Sequence, residues 1–321
     1  DNTKKKARQD EWQEQTQSIF ASVEVGWKSM LYLTLTGRND WASQLANSST
    51  PCFFYPSVGL SGVISEMLTL PEFIDYMKVR GSFSSVGMPY PRNLTSPTYE
   101  YDEANQQWKP KTHYPIKDLK PERTNSWELG LDMRLFKDFS LGFSWYLANT
   151  FNQTFDPKVS VSSGYSKIYL QTGYVRNSGV ELSLGYGHTW NNHLHWESNF
   201  TLSHNKNTIK DLVTSYIHPE TGLPITQNRL DVGGLGKARF ILKKGGTLGD
   251  LYTQSDLKRD NSGMVEIDPS GALTTEDNLP DIKLGSVFPK ANLAWNNRFE
   301  WRGISLSALF TARIGGIAYS A

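Results

Sequence analysis

The chain has 321 residues, a formal net charge of +1 and a mean hydropathy of −0.48, a balance that points to no polyanionic partner. A single cysteine, Cys52, excludes an internal disulfide framework and any multi-cysteine metal site. Ten Trp in a chain that is 12% aromatic suit β-sheet packing, sugar stacking or a membrane interface.

Residues 1–17 are charged and read as a loop or short helix, with no apolar core of the kind a signal peptide carries. No run approaches the roughly eighteen apolar residues of a transmembrane helix. From there on the apolar residues recur at every second position, the period of a strand. Ten strands are predicted, at 18–27, 30–37, 57–65, 76–85, 126–136, 139–149, 178–187, 193–204, 291–301 and 304–314. The segment 124–150 shows the pattern best. Trp127, Leu129, Leu131, Met133 and Leu135 alternate with Glu128, Asp132 and Arg134, and Phe139, Leu141, Phe143, Trp145 and Leu147 follow with Ser140, Ser144 and Tyr146 between them.

Opposed residues of an antiparallel hairpin share a face, so trial pairings test the reading. Around Lys28-Ser29, Val25 is set against Leu31 and Val23 against Leu33. Around Lys137-Asp138, Leu135 meets Leu141, Met133 meets Phe143 and Leu131 meets Trp145. Leu184 is set against Trp196 and Val180 against Phe200. Around Arg302-Gly303, Trp301 meets Ile304, Phe299 meets Leu306 and Trp295 meets Phe310. All four hairpins close apolar on apolar.

Short connections then alternate with long ones, at about 38–56, 86–125, 150–177 and 205–290. Long loops gathered at one end of a sheet are the plan of an outer-membrane barrel, with short periplasmic turns and long extracellular loops. Strands of about nine to eleven residues match a tilted bilayer crossing. Trp27, Trp190 and Trp301 lie beside the short turns, where an interfacial girdle belongs. The fold expected is all-β, a partial antiparallel transmembrane β-barrel. A soluble, secreted glycan-binding β-sandwich also alternates apolar and polar residues, and it stands as the competing reading.

Several segments resemble, in order, signatures of the SusC/RagA-type TonB-linked outer-membrane transporters. They are Leu-Thr-Gly-Arg-Asn-Asp-Trp (35–41), Phe-Tyr-Pro-Ser-Val (54–58), Lys-Val-Arg-Gly-Ser (78–82) with Val-Gly at 86–87, and Leu-Lys-Pro-Glu-Arg-Thr-Asn-Ser-Trp-Glu-Leu-Gly (119–130). Ser-Gly-Tyr (163–165), Asn-Ser-Gly-Val-Glu-Leu (177–182), Asn-Lys-Asn (205–207) and Arg-Ile-Gly-Gly (313–316) follow. The resemblance implies TonB-energised import of an oligomeric nutrient, most often a glycan, across the bacterial outer membrane. It also implies an N-terminal plug through which the TonB complex acts, and a SusD-like surface lipoprotein at the external mouth. Ten predicted strands against about twenty-two in that class imply that residues 1–321 are one part, middle to late, of the barrel domain.

Candidate residues follow from these two readings. Trp41, Tyr90, Tyr99, Tyr101 and Trp108 fall in the long-loop regions, where aromatic faces would stack on an oligosaccharide or hold a peptide. Phe53, Phe54 and Tyr55 are nearby aromatics, the last two given structural roles before Pro56. Glu128, Asp132, Arg134, Glu181 and Glu197 occupy polar strand faces and are expected in the lumen, since a charge facing mid-bilayer lipid costs about 2–4 kcal/mol for Arg or Lys. His193, His195 and Glu197 have a metal-like spacing that reads better as wet interior lining. Gly233-Gly234-Leu235-Gly236-Lys237 lacks the phosphate-loop pattern because Asp231 and Ala238 stand at its ends. Asp260-Asn261-Ser262-Gly263 and Asp268-Pro269-Ser270-Gly271 are turn formers rather than calcium loops. No catalytic constellation, metal site or cofactor motif emerges, and no enzyme activity is expected.

Overall fold

The computed structural model describes residues 11, 13–46, 48–91, 94, 100–102, 106–109, 113–114, 120–155, 167–168, 170–190, 193–217, 222 and 224–318. Ten strands form one sheet in which each pairs antiparallel with the next in the chain: β1 (Thr16–Trp27), β2 (Leu31–Ala42), β3 (Cys52–Val63), β4 (Ile74–Met88), β5 (Glu122–Leu135), β6 (Phe139–Phe155), β7 (Leu170–Trp190), β8 (Leu194–Asp211), β9 (Ala291–Trp301) and β10 (Ile304–Ile314). The ten predicted strands are these ten. The sheet is open, with β1 and β10 at its margins. Among the described residues no helix is long and apolar enough to cross a membrane, so any crossing falls to the strands.

Register differs from expectation in three of the four hairpins. The observed partners are Trp27 with Leu31, Leu135 with Phe139, and Trp190 with Leu194. The trial pairings in the first two hairpins therefore slide by two residues toward the turn, and in the third by four, so that Leu184 faces Phe200. Even slips keep every side chain on its face, which is why apolar-on-apolar matching accepted them. Three-residue turns set the true register in the first two. Lys28 and Ser29 have φ of 51° and 57°, and Phe136 and Lys137 have 52° and 65°. The last hairpin pairs as expected, Trp301 with Ile304, because Arg302 and Gly303 both adopt positive φ in a two-residue turn.

The two faces have opposite chemistry. Trp127, Leu129 and Phe143 are 53%, 56% and 39% exposed, and among the described residues no second sheet covers them. A sandwich would bury these residues, so the soluble glycan-binding reading fails here. The same face carries Leu33, Leu35, Leu60, Val79, Leu184, Phe200, Trp295 and Phe310. An apolar surface this continuous is stable only against lipid or another apolar surface. Toward the short turns it ends in a succession of rings, Phe73, Phe136, Phe139, Tyr186, Trp196 and Phe299, with neighbouring centroids 4.8–6.4 Å apart. Two polar pairs on this face are met internally: Trp295 Nε1 donates to Ser198 Oγ at 2.9 Å and Trp196 Nε1 to Asn297 Oδ1 at 3.3 Å.

The buried cores lie at the long-loop end. One gathers Ala42, Leu45, Phe53, Tyr90 and Leu94; the other gathers Phe155, Val175, Ile209, Leu212, Leu230 and Leu242. Several strands run further into the expected loops than predicted, since the backbone ladder continues after the apolar alternation fades. The stretch 205–290 is not a plain loop. It contains a four-stranded sheet of Arg229–Leu235, Ala238–Lys243, Asp250–Thr253 and Ile282–Ser286, and Gly236-Lys237 is the turn of its first hairpin. Asp260 Oδ1 and Asp268 Oδ1 each accept three hydrogen bonds, from the amide and hydroxyl of Ser262 or Ser270 and from the amide of Met264 or Ala272, which makes both segments turns.

The lipid-facing assignment predicts an asymmetry. Leu129→Arg is expected to destabilise the barrel by about 2–4 kcal/mol in urea titrations in lipid vesicles, against less than about 1 kcal/mol for Thr201→Arg on the opposite face.

Candidate functional site

The polar face is the concave one: side chains from the seven consecutive strands β4 to β10 line a single hollow of about 520 Å³, among them Arg80, Asp132, Ser144, Glu181, Thr201 and Arg313. Its organising residue is Arg80 on β4. The register places it opposite Gly130 on β5, which in turn faces Ser144 on β6. Gly130 has no side chain, so the arginine lies across it; a Cβ there would come within 2.6 Å of the guanidinium. From that seat Arg80 donates to Asp132 Oδ2 at 2.8 Å, Glu128 Oε1 at 3.3 Å and Ser144 Oγ at 2.7 Å. The sequence Glu128-Leu129-Gly130-Leu131-Asp132 is thus a cradle, with carboxylates two residues either side of a gap that admits the cation.

Glu128, Asp132 and Arg134 share this face of β5 by alternation, as do Glu181 on β7 and Glu197 on β8, opposite Ser203 and Gly187. Glu197 Oε1 accepts from Asn199 Nδ2 at 2.8 Å, and His195 Nδ1 lies 2.9 Å from Thr189 Oγ1. No group of three potential metal ligands converges among the described residues.

The aromatic candidates separate. Tyr101 and Trp108 face each other across the hairpin formed by Glu100–Asp102 and Gln107–Lys109, edge to face at 5.1 Å, with Trp108 65% exposed. Tyr90 is buried with Phe53 and Leu94 and presents no open face. Trp41 shares its strand face with Leu33 and Leu35, so it lies on the outer surface of the wall rather than over the hollow. Phe54 is on that outer face as well, its ring against Gly37, while Tyr55 packs edge-on to Phe53. Tyr99 lies outside the described residues.

Many residues of the collinear motifs make cross-strand polar ties. Arg38 donates to Asp40 Oδ1 at 2.7 Å and to Ser18 Oγ at 3.0 Å. Ser85 donates to Asn125 at 2.7 Å. Asn177 Oδ1 accepts from Asn205 and Asn207, and Asn207 Oδ1 accepts the amide of Leu248 at 2.8 Å, fixing the external sheet to the wall. That sheet has its own electrostatic lock. Asp281, its side chain 7% exposed, accepts from Arg229 at 2.7 and 2.9 Å, Gln254 at 3.1 Å and Lys243 at 2.9 Å. The Arg229 hydrogen bonds, reinforced by Lys243, hold its carboxyl well below the usual carboxylate range.

Sequence reasoning missed Arg80 and Asp281. Arg80 was signalled by a glycine between two carboxylates at i±2 on a neighbouring strand; Asp281 stands in a stretch without periodicity.

An antiparallel wall, apolar outside, charged within and roofed at one end by structured loops, is that of an outer-membrane β-barrel. A family model described as TonB dependent receptor-like, beta-barrel matches residues 2–277, and the chain belongs to that family, whose members are outer-membrane proteins. TonB-dependent receptor P39 of Formosa agariphila is 24% identical over 271 residues, 81% of this chain and 23% of that protein. Receptor P26 of the same organism is 24% identical over 331 residues, 95% and 32% respectively. The structure of the RagAB peptide transporter matches with a TM-score of 0.72 at 20% identity, over 93% of this chain and 33% of that one, a likeness of fold. The chain spans about a quarter to a third of the length of these proteins.

Two outcomes test the polar ties. Arg80→Ala, which strands Asp132 and Glu128, is expected to lower stability by about 1–2 kcal/mol in urea titration, with Gly130→Ala causing a similar loss by displacing the guanidinium. Asp281 contributes stability above the ordinary carboxylate pKa of about 4 and loses it as pH falls through its depressed folded value. Limited proteolysis should therefore cut the 229–286 sheet increasingly below about pH 4, and Asp281→Asn should expose it at neutral pH.

Proposed function

We propose that residues 1–321 form one section of the barrel domain of an outer-membrane importer, supplying wall and external loops for the TonB-energised uptake of an oligomeric nutrient, foremost a glycan. The observation that carries this reading is the inverted polarity of the wall, with Trp127, Leu129 and Phe143 exposed outward and Arg80, Glu128, Asp132 and Ser144 joined within. A ten-stranded open sheet also leaves β1 and β10 with unpaired backbone edges, which hydrocarbon does not tolerate, so further strands are needed to close the barrel.

In this reading the concave face with Glu128, Asp132, Arg134, Glu181 and Glu197 surrounds a plug on which the TonB complex pulls. The long-loop end is the extracellular mouth, covered by a SusD-like lipoprotein. The barrel performs no covalent chemistry. Its contribution is a charged lumen wall, a lipid-facing exterior and loops that meet the cargo. Tyr101 and Trp108 are the aromatic pair available for stacking on a sugar ring; Trp41 takes an interfacial place and Tyr90 a packing one.

Uptake assays with the complete receptor test this. Tyr101→Ala with Trp108→Ala is expected to weaken oligosaccharide uptake about tenfold while leaving the receptor folded and in the membrane. Uptake of peptides in place of oligosaccharides would move the cargo to the peptide class, and unchanged uptake of both would remove this pair from the binding site.

A further inference from the structure

A second hollow, of about 400 Å³, opens on the outer surface of the wall across β5, β6, β7 and β8. Its walls are the lipid-facing side chains Leu135, Leu141, Leu184 and Phe200, closed toward the short turns by Phe139 and Tyr186. The space exists because the short side chain of Ser198 stands where its outward neighbours Trp196 and Phe200 are large, and the Ser198 hydroxyl is already engaged by Trp295. The hollow is therefore an apolar slot wide enough for a hydrocarbon chain, with no open polar demand at its base.

Charge is placed where such a chain would end. The turn Phe136-Lys137-Asp138 directly adjoins the slot, and Lys137 is exposed. Beside it β4 carries a bulge at Asp75, between the register pairs Ile74–Leu135 and Tyr76–Arg134. The bulge brings Asp75 Oδ2 to 2.5 Å from the Lys137 amide, and the aspartate stays exposed. The other carboxylate of the turn, Asp138, is matched by His188 Nδ1 at 2.7 Å. Phe73 fixes the turn to the preceding link, its carbonyl accepting from the Phe136 amide at 2.9 Å and its ring stacking on Phe136 at 5.5 Å. The exposed cation Lys137 and the exposed anion Asp75 thus stand together beside a fixed turn, at the membrane boundary, next to an apolar slot.

We infer that this is a binding site for a phospholipid with a zwitterionic headgroup, its acyl chain in the slot, its phosphate at Lys137 and its ammonium at Asp75. A phosphoethanolamine headgroup carries both charges in reach of one another. An anionic glycerol headgroup meets Lys137 and is repelled by Asp75. The short turns are the periplasmic end, so the lipid comes from the inner leaflet.

Native mass spectrometry of the complete receptor, purified in detergent and mixed with equal amounts of phosphatidylethanolamine and phosphatidylglycerol of the same chains, tests this. Wild type is expected to retain phosphatidylethanolamine about fivefold better, the discrimination one exposed charge pair supplies. Asp75→Asn should erase the preference, and Leu184→Trp, which fills the slot, should abolish retention of both lipids. Heat-modifiable gel mobility confirms that each variant is a folded barrel; should Leu184→Trp not fold, Leu184→Phe repeats the slot test. Equal retention of the two lipids by wild type, or retention unaffected by filling the slot in a folded variant, would overturn the inference, as would preferential retention of lipopolysaccharide.

Discussion

Every feature of this wall follows from the pairing of backbone polar groups where no water can pair them. In hydrocarbon an N–H or C=O left unmatched costs several kcal/mol, so a strand survives only between two others. The ten strands answer with an unbroken antiparallel ladder from β1 to β10, and the irregular backbone is kept to the turns and the long-loop end. Some side chains of the outer face are paired in the same way: Ser198 and Asn297 accept from the indoles of Trp295 and Trp196 within the apolar band.

With the backbone satisfied along the strands, side-chain polarity is free to invert. The large apolar residues go outward, where a soluble protein would place lysine and glutamate, and the charges go to the concave side. There the geometry is set by small residues as much as by charged ones. Gly130 lets Arg80 lie flat against the sheet and reach carboxylates on both sides and a hydroxyl one strand further. The result is a lining in which charges and a hydroxyl of three neighbouring strands engage one another.

The compact hydrophobic cores are displaced to the external end, where water returns and loops must be folded by ordinary burial. The Asn177–Asn207–Leu248 tie and the Asp281 cluster anchor and lock the external sheet above the wall. The two ends of one wall therefore follow different physics. The short-turn end is organised by rings and charges at a lipid boundary, and the long-loop end by burial and ion pairs.

Alternation in the sequence determined the number and order of the strands, the face on which each side chain lies, and which connections are short, because a period of two is a property of the chain itself. It also determined the polar placement of Glu128, Asp132, Arg134, Glu181 and Glu197. Tertiary structure decided the rest. Register was invisible to apolar matching, since a slip of two or four residues preserves every face; around Lys28-Ser29, Phe136-Lys137 and Arg302-Gly303 left-handed turn residues chose among the possibilities. Arg80 became a hub only when β4 was set beside β5 with Gly130 opposite. Trp41 and Tyr90, alike as loop aromatics, went to an outer surface and a buried core because the strands ran on past their apolar alternation. The external sheet and the Asp281 lock come from contacts distant in sequence and without period, and no local pattern encodes them.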